Sequence, residues 1–285
     1  MAGHRKQLVY EKAAHGLMAL LTAIAVAPVI AIIVFLFIKG APAITPEFLT
    51  AMPKNGMKAG GIFPAIVGTF YLVLGTIVFA VPVGTLAAVY LTEYATQGRL
   101  TRLIRLAIAN MAGVPSVVYG LFGLGLFVLL LQFGTSLLSG SLTLGLLVLP
   151  VVITAAEEAL LAVPQSFRQA SLALGATRWQ TIRRVVLPNA IPGIITGTVL
   201  AVGRAAGETA AIMFTVAAFF LPNLPDSPFS QAMALPYHLY TISTQVPGMP
   251  DEIKWGTALV LLLLVLMFTL TAAVVRARFR RKRRW

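Results

Sequence analysis

With 285 residues, 58% of them hydrophobic and only 11% charged, and a mean hydropathy of +0.89, the chain lies far outside soluble globular domains, where about 25% of residues are charged. The absence of cysteine excludes disulfides, Cys-ligated zinc and thiol catalysis. A net charge of +13 would suggest nucleic acid in a soluble protein, but the placement of these charges argues for a membrane.

A helix crossing a bilayer needs about 20 mostly apolar residues. Six segments qualify in chain order: 13–38, 62–91, 106–132, 137–156, 190–216 and 255–275. The first follows a polar segment, 1–12, and its apolar run exceeds the roughly 7–15 residues of a signal peptide. It is therefore expected to be retained. Pro28, Pro82, Pro115, Pro150 and Pro192 fall inside spans, where neighbouring helices re-satisfy the freed backbone groups. Only 134–136 separate the third and fourth spans. The expected fold is all-α, a polytopic membrane protein of six transmembrane helices.

Seventeen of the 22 Lys and Arg residues fall on one side of this map. They are Arg5, Lys6 and Lys12 before the first span, Arg99, Arg102 and Arg105 after the second, and Arg168, Arg178, Arg183 and Arg184 after the fourth. The remaining seven lie from Arg276 into the basic tail, 277–285. Lys39, Lys54, Lys58 and Lys254 lie on the other side, and Arg204 is inside the fifth span. Cytoplasmic loops are enriched in Lys and Arg, so both termini are expected in the cytoplasm of a cell with a multi-pass plasma-membrane protein. The tail RARFRRKRRW, directly after a span, is read as holding anionic lipid headgroups at about 1 kcal/mol per charge, rather than nucleic acid.

Between the fourth and fifth spans the loop 164–188 has a pattern of its own. Pro164 ends or bends the preceding helix. Ser166 with Gln169 makes a capping box for a short helix over 167–174, and Gly175 supplies the left-handed residue that ends it. Thr177 with Gln180 repeats the box for a second helix through Val186, and Pro188 is expected to stop that one. Phe167, Ala170, Ser171 and Leu174 share one face of the first helix, and Trp179, Ile182 and Val186 one face of the second. Helices this short are marginal alone in water. These faces pack either on their own spans or on a separate protein.

The run from Gln169 to Pro188, QASLALGATRWQTIRRVVLP, resembles the cytoplasmic Glu-Ala-Ala loop of binding-protein-dependent ABC importer permeases. That motif places Glu-Ala-Ala, three residues, Gly, nine residues and Ile-x-Leu-Pro in order. Gln169-Ala170-Ser171, Gly175 and Val185-x-Leu187-Pro188 meet the spacing, with Gln169 replacing the glutamate, Ser171 the second alanine and Val185 the isoleucine. The resemblance implies a coupling helix-turn-helix that docks a cytoplasmic ATPase. No G-x-x-x-x-G-K-[ST] phosphate loop occurs here, so ATP and Mg would be bound by that partner, and this chain would hold no cofactor and catalyse nothing.

Residues 61–95, GIFPAIVGTFYLVLGTIVFAVPVGTLAAVYLTEYA, and 203–215, GRAAGETAAIMFT, resemble the phosphate-specific branch of these permeases. This implies inward transport of inorganic phosphate, with a homologous second permease, two ATPase copies and an extracytoplasmic phosphate-binding protein as partners. Permeation of sulfate or molybdate and ion-coupled secondary transport are the alternatives.

Read on their own chemistry, Arg204 and Glu208 lie four residues apart in the fifth span and so on one helix face. Arg inside a membrane costs roughly 2.5–3.5 kcal/mol and generally faces a cavity or a partner. The pair is either a structural lock or part of a translocation pathway or gate, to which Thr209 would add a hydroxyl. Gly203 and Gly207 would admit a close helix. Glu157 and Glu158 are read as solvated or Arg-paired, and Glu93 as facing Arg99 or Arg102. His4, His15 and His238 are not spaced as metal ligands. The loop 218–253 is polar and proline-rich, either a connector or a surface for a binding protein.

Overall fold

The computed structural model describes residues 2–96 and 98–281. The basic side chains expected at the two ends, Arg5, Lys6, Arg280, Arg281, Lys282, Arg283 and Arg284, lie outside the described side chains. In chain order the elements are α1 (Ala2–Gly40), α2 (Pro46–Thr50), a hairpin of β1 (Pro53–Lys54) and β2 (Ala59–Gly60), and α3 (Phe63–Val89). There follow α4 (Arg99–Met111), α5 (Ser116–Gly123), α6 (Leu137–Leu161), α7 (Gln165–Ala173), α8 (Arg178–Thr181) and α9 (Leu187–Gly207). The last are α10 (Ala210–Met213), α11 (Leu235–Thr244) and α12 (Asp251–Arg281). Turns of π-helix prolong α3 over Tyr90–Tyr94 and α5 over Leu124–Leu130, and Ile182–Val186 joins α8 to α9.

Among the described residues five helices are long and apolar enough to cross a membrane: α1, α3, α6, the continuous α8–α9 and α12. A sixth crossing needs α4 and α5 together, and these meet at 104°. The expected straight third span, 106–132, is thus broken. Pro115 caps α5 in extended conformation, φ −58° and ψ 141°, and its ring disfavours helix at the residue before it. The fifth span also departs from its expected 190–216: it begins at Arg178, within the loop 164–188, and ends at Gly207.

The centre of the molecule is α6, which packs between α3 and α9. Leu72 from α3 and Leu144, Leu147, Val148 and Val152 from α6 are at most 2% exposed. In a lipid solvent close backbone approach replaces the hydrophobic drive between helices. Here α6 and α9 approach through Gly193 and Gly197, where a Cβ would stand 2.4 and 2.5 Å from the Cβ atoms of Ala159 and Ala155. The first helix lies at the periphery, with the Phe35 ring edge-on to Trp255 of α12 at 5.2 Å.

The segment 218–253 is no plain connector. Met233, Leu235 and Ile242 are buried with Phe48, Met57 and Met249 in one apolar cluster. The Leu235 amide donates to the Thr69 hydroxyl at 2.8 Å, and the Leu137 and Leu138 amides, first in α6, donate to the Ser230 and Pro228 carbonyls at 2.9 and 2.8 Å. These close N-terminal groups of α6 that have no partner within the helix.

Candidate functional site

The loop between α6 and α9 is a helix-turn-helix, built partly as its sequence dictates. Thr177 and Gln180 form the predicted capping box: the Thr177 amide donates to Gln180 Oε1 at 2.8 Å and the Gln180 amide to Thr177 Oγ1 at 3.2 Å. Gly175 takes φ +80°, while the Gly175 and Ala176 amides donate to the Leu172 and Ser171 carbonyls at 3.0 and 3.3 Å. This double closure ends α7.

Two local expectations fail. No Ser166–Gln169 box forms, because Pro164 is the N-cap and the helix has already begun at Gln165. Pro188 does not stop the second helix. A proline in an α-ladder lacks a donor and clashes with the carbonyl four residues back. The π-turn at Ile182–Val186 shifts the ladder just before the proline, and Asn189 Nδ2 donates to the Val185 carbonyl at 2.8 Å. Helix α8 therefore runs on into the fifth span.

The apolar positions of the loop divide into a buried set and an exposed set. Ile182 and Val186 are buried in a cluster with Ala88, Ala156, Leu160 and Val163, and half-buried Phe167 and Leu187 pack against it. Leu174 is 89% exposed, Trp179 51% and Leu172 49%, with Gln169 and Ala170 also exposed. Phe167 and Leu174 thus do not act as one face. Val185 and Pro188 are half-buried where the loop enters α9.

Arg168 holds the loop to the spans. Its guanidinium donates to Glu93 Oε1 through Nε at 3.1 Å and Nη2 at 2.8 Å, to the Leu160 carbonyl at 2.8 Å and to the Val163 carbonyl at 2.6 Å. Both side chains are only 10% exposed. Glu93, expected opposite Arg99 or Arg102, thus faces Arg168. Ser171 and Thr181 bridge the two short helices at 2.9 Å, and the Arg178 guanidinium lies 5.2 Å above the Tyr94 ring. A hollow of about 440 Å³ with a mixed lining lies between Thr92, Glu93, Arg168, Gln169, Leu172 and Ile182. Glu157 lies 3.0 Å from Arg105, an ion pair not aligned as a hydrogen bond.

The second candidate region is rearranged relative to its expectation. Arg204 is exposed on α9 and makes no ion pair among the described residues, whose ion pairs are Arg105–Glu157, Arg168–Glu93 and Lys254–Asp251. Glu208, at φ −75° and ψ 131°, has left the helix. It therefore does not share a helical face with Arg204, and no lock forms between them. A span may break at membrane depth where the irregular backbone is buried in protein or lines a cavity. Thr209 meets that condition: with Gly207, Pro236, Tyr240, Ser243 and Leu261 it lines a hollow of about 420 Å³. A Cβ at Gly203 would stand 3.9 Å from Thr269 Oγ1 of α12, an ordinary contact, and one at Gly207 would have nothing within 4 Å.

His238, on α11, is 2% exposed, and burial pushes its imidazole down to about 4. Among the described residues no group of three His, Cys, Asp or Glu could hold a metal ion. Arg168 is the anchoring residue of this region that the sequence did not disclose. It counted only as one positive charge, and no local pattern points from it to a carboxylate 75 positions away.

Residues 80–284 match the family described as "Binding-protein-dependent transport system inner membrane component". The chain belongs to that family. It is the non-catalytic permease subunit of an ABC importer, a multi-pass inner-membrane protein whose ATPase is a separate protein. The "Probable ABC transporter permease protein YqgI" of Bacillus subtilis is 36% identical over 279 residues, covering 93% of this permease and 94% of the relative. The "Phosphate transport system permease protein PstA 1" of Mycobacterium tuberculosis H37Rv is 41% identical over 226 residues, 79% of this chain and 73% of the relative. Two solved structures share the fold. The bacterial alginate ABC transporter in complex with an alginate pentasaccharide-bound periplasmic protein aligns with a TM-score of 0.66 at 16% identity, over 94% of this chain and 93% of that one. The inward-facing MetNI methionine ABC transporter aligns at 0.57 and 18%, over 77% and 94%.

Proposed function

We propose that this permease carries inorganic phosphate inward, with both termini in the cytoplasm and the loop 164–188 docked on the ATPase. Its partners are a homologous second permease, two copies of an ATPase that bind ATP and Mg, and an extracytoplasmic phosphate-binding protein. The observation that carries the cargo is the 41% identity with a permease named for phosphate transport. The chemistry at Arg204 supports it. A planar guanidinium can hold two oxygens of a tetrahedral oxyanion, and an Arg in a span is stable only when it meets water, a ligand or a partner.

Docking is supported by Leu172, Leu174 and Trp179, which project while Arg168, Ser171 and Thr181 anchor the loop. Two anchored helices with an apolar tip suit insertion into a groove of another protein. The test is uptake of radiolabelled phosphate into vesicles containing the assembled importer. Uptake should require ATP, persist with an uncoupler and resist excess sulfate and molybdate. Collapse with the uncoupler would establish ion coupling instead, and efficient competition by sulfate or molybdate would reassign the cargo.

A further inference from the structure

Helix α4 contains no buried residue and no carboxylate, and its apolar side chains are not shed on one solvent-facing side. Its rotation is fixed by one face. Ile104 and Ile108 pack against the cluster that includes Val163, Ile182 and Val186. Arg105 donates to the Leu91 carbonyl at 3.1 Å and pairs with Glu157 at 3.0 Å, and the Thr101 hydroxyl donates to the Thr96 carbonyl at 2.8 Å. The helix therefore lies on the same side of the molecule as the docking loop.

At about 100° per residue two other sectors flank that face. Leu100, Leu103 and Ala107 form one, with the leucines 70% and 61% exposed. Arg99 and Arg102 lie in the other with Leu106 between them, all three exposed, and neither arginine has an ion pair among the described residues. An exposed surface of leucines bordered by two unpaired arginines, opposite a face held by protein, suits a helix beside a span at a membrane surface, with Leu106 directed between the two arginines.

Direction and length agree. Helix α4 meets α5 at 104°, so when α5 crosses the bilayer α4 runs along it. Ser116–Leu130 is only about 22 Å long at the α-helical rise, short of a hydrocarbon core of about 30 Å. A helix sunk about 5–10 Å into the interface supplies the difference.

We infer that α4 is an in-plane interfacial helix. Leu100, Leu103 and Ala107 reach the acyl chains, and Arg99 and Arg102 sit on anionic phospholipid headgroups of the leaflet that carries the docking loop. This rests on the membrane location and is independent of the cargo.

The absence of cysteine makes the test direct. Leu103→Cys and Arg102→Cys in the full-length chain each carry a nitroxide, in vesicles of phosphatidylcholine with phosphatidylglycerol. Oxygen should relax the label at 103 more strongly, and a water-soluble nickel chelate the label at 102. A Leu100→Cys label, also at an exposed position, should follow 103. Nickel access at 100, 102 and 103 alike would show a solvated helix, and exclusion of both reagents from all three would show a protein partner; either overturns the assignment. In lipid analysis of the purified chain, Arg99→Gln with Arg102→Gln should lower phosphatidylglycerol enrichment about fivefold per charge removed. Equal retention of the two lipids by the unaltered chain would overturn the headgroup contact.

Discussion

Glu93 and Arg168 stand 75 residues apart in the chain and 2.8 Å apart in space, and their contact joins the end of α3 to α7, the first helix of the loop 164–188. Arg168 at the same time accepts the burden of the α6 terminus by donating to the Leu160 and Val163 carbonyls. Three helix ends meet on one guanidinium.

Removing one partner of a buried pair leaves a desolvated charge, which costs about 3–5 kcal/mol. Arg168→Met and Glu93→Gln should each lower the thermal midpoint of the detergent-solubilised chain. The double variant should lose less than the two single losses combined, because the coupling is removed once. Strict additivity would show that the two side chains do not stabilise one another.

At the exposed tip the expectation is opposite. Leu174→Glu should change stability by no more than about 0.5 kcal/mol, yet reduce co-purification of the ATPase, with Trp179→Glu acting similarly. Gly175→Pro should weaken docking more than charge reversal at Arg178 with Arg183, since proline near φ −65° cannot take the observed +80°. Undiminished co-purification of every variant would remove the docking reading.

Arg204→Ala should leave complex assembly intact and lower phosphate uptake about 10- to 100-fold, the equivalent of a charge-assisted hydrogen bond worth roughly 1.5–3 kcal/mol. Glu208→Ala should also lower uptake, but without thermal destabilisation, because no lock joins it to Arg204. Loss of assembly in both variants would assign these residues a structural role instead.

His238 predicts an acid sensitivity. Its folded-state value of about 4 lies below the ordinary 6.5, so the unfolded chain binds the proton more readily. Stability should therefore fall as pH drops below about 6.5, with the loss complete near 4 and reaching about 3 kcal/mol. His238→Phe should flatten that part of a melting profile between pH 7.5 and 4.5. An unchanged slope would place the acid sensitivity elsewhere.

What was legible in the sequence was local or repetitive. Apolar length marked the spans, and the Thr177–Gln180 box and Gly175 turn depend on residues three positions apart or on one φ angle. The Arg168–Glu93 contact depends on how α3 packs beside α6, which no local pattern records. The break after Gly207 carries no proline to announce it, while Pro188 announces a stop that the adjacent π-turn cancels. The same proline chemistry thus misled in one place and was silent in another. At Pro115 the break was real, but a continuous apolar composition concealed it.

The passage of helix through Pro188 makes the second half of the loop and the fifth span one element. From Arg178 to Gly207 the chain is continuously helical, from its exposed Trp179 end to its Arg204 end. At the α-helical rise these ends are about 38 Å apart. A tilt of roughly 5° about one end displaces the other by about 3 Å, close to the length of a hydrogen bond. By geometry alone, a small tilt at the Trp179 end thus shifts the Arg204 end by about the length of one polar contact.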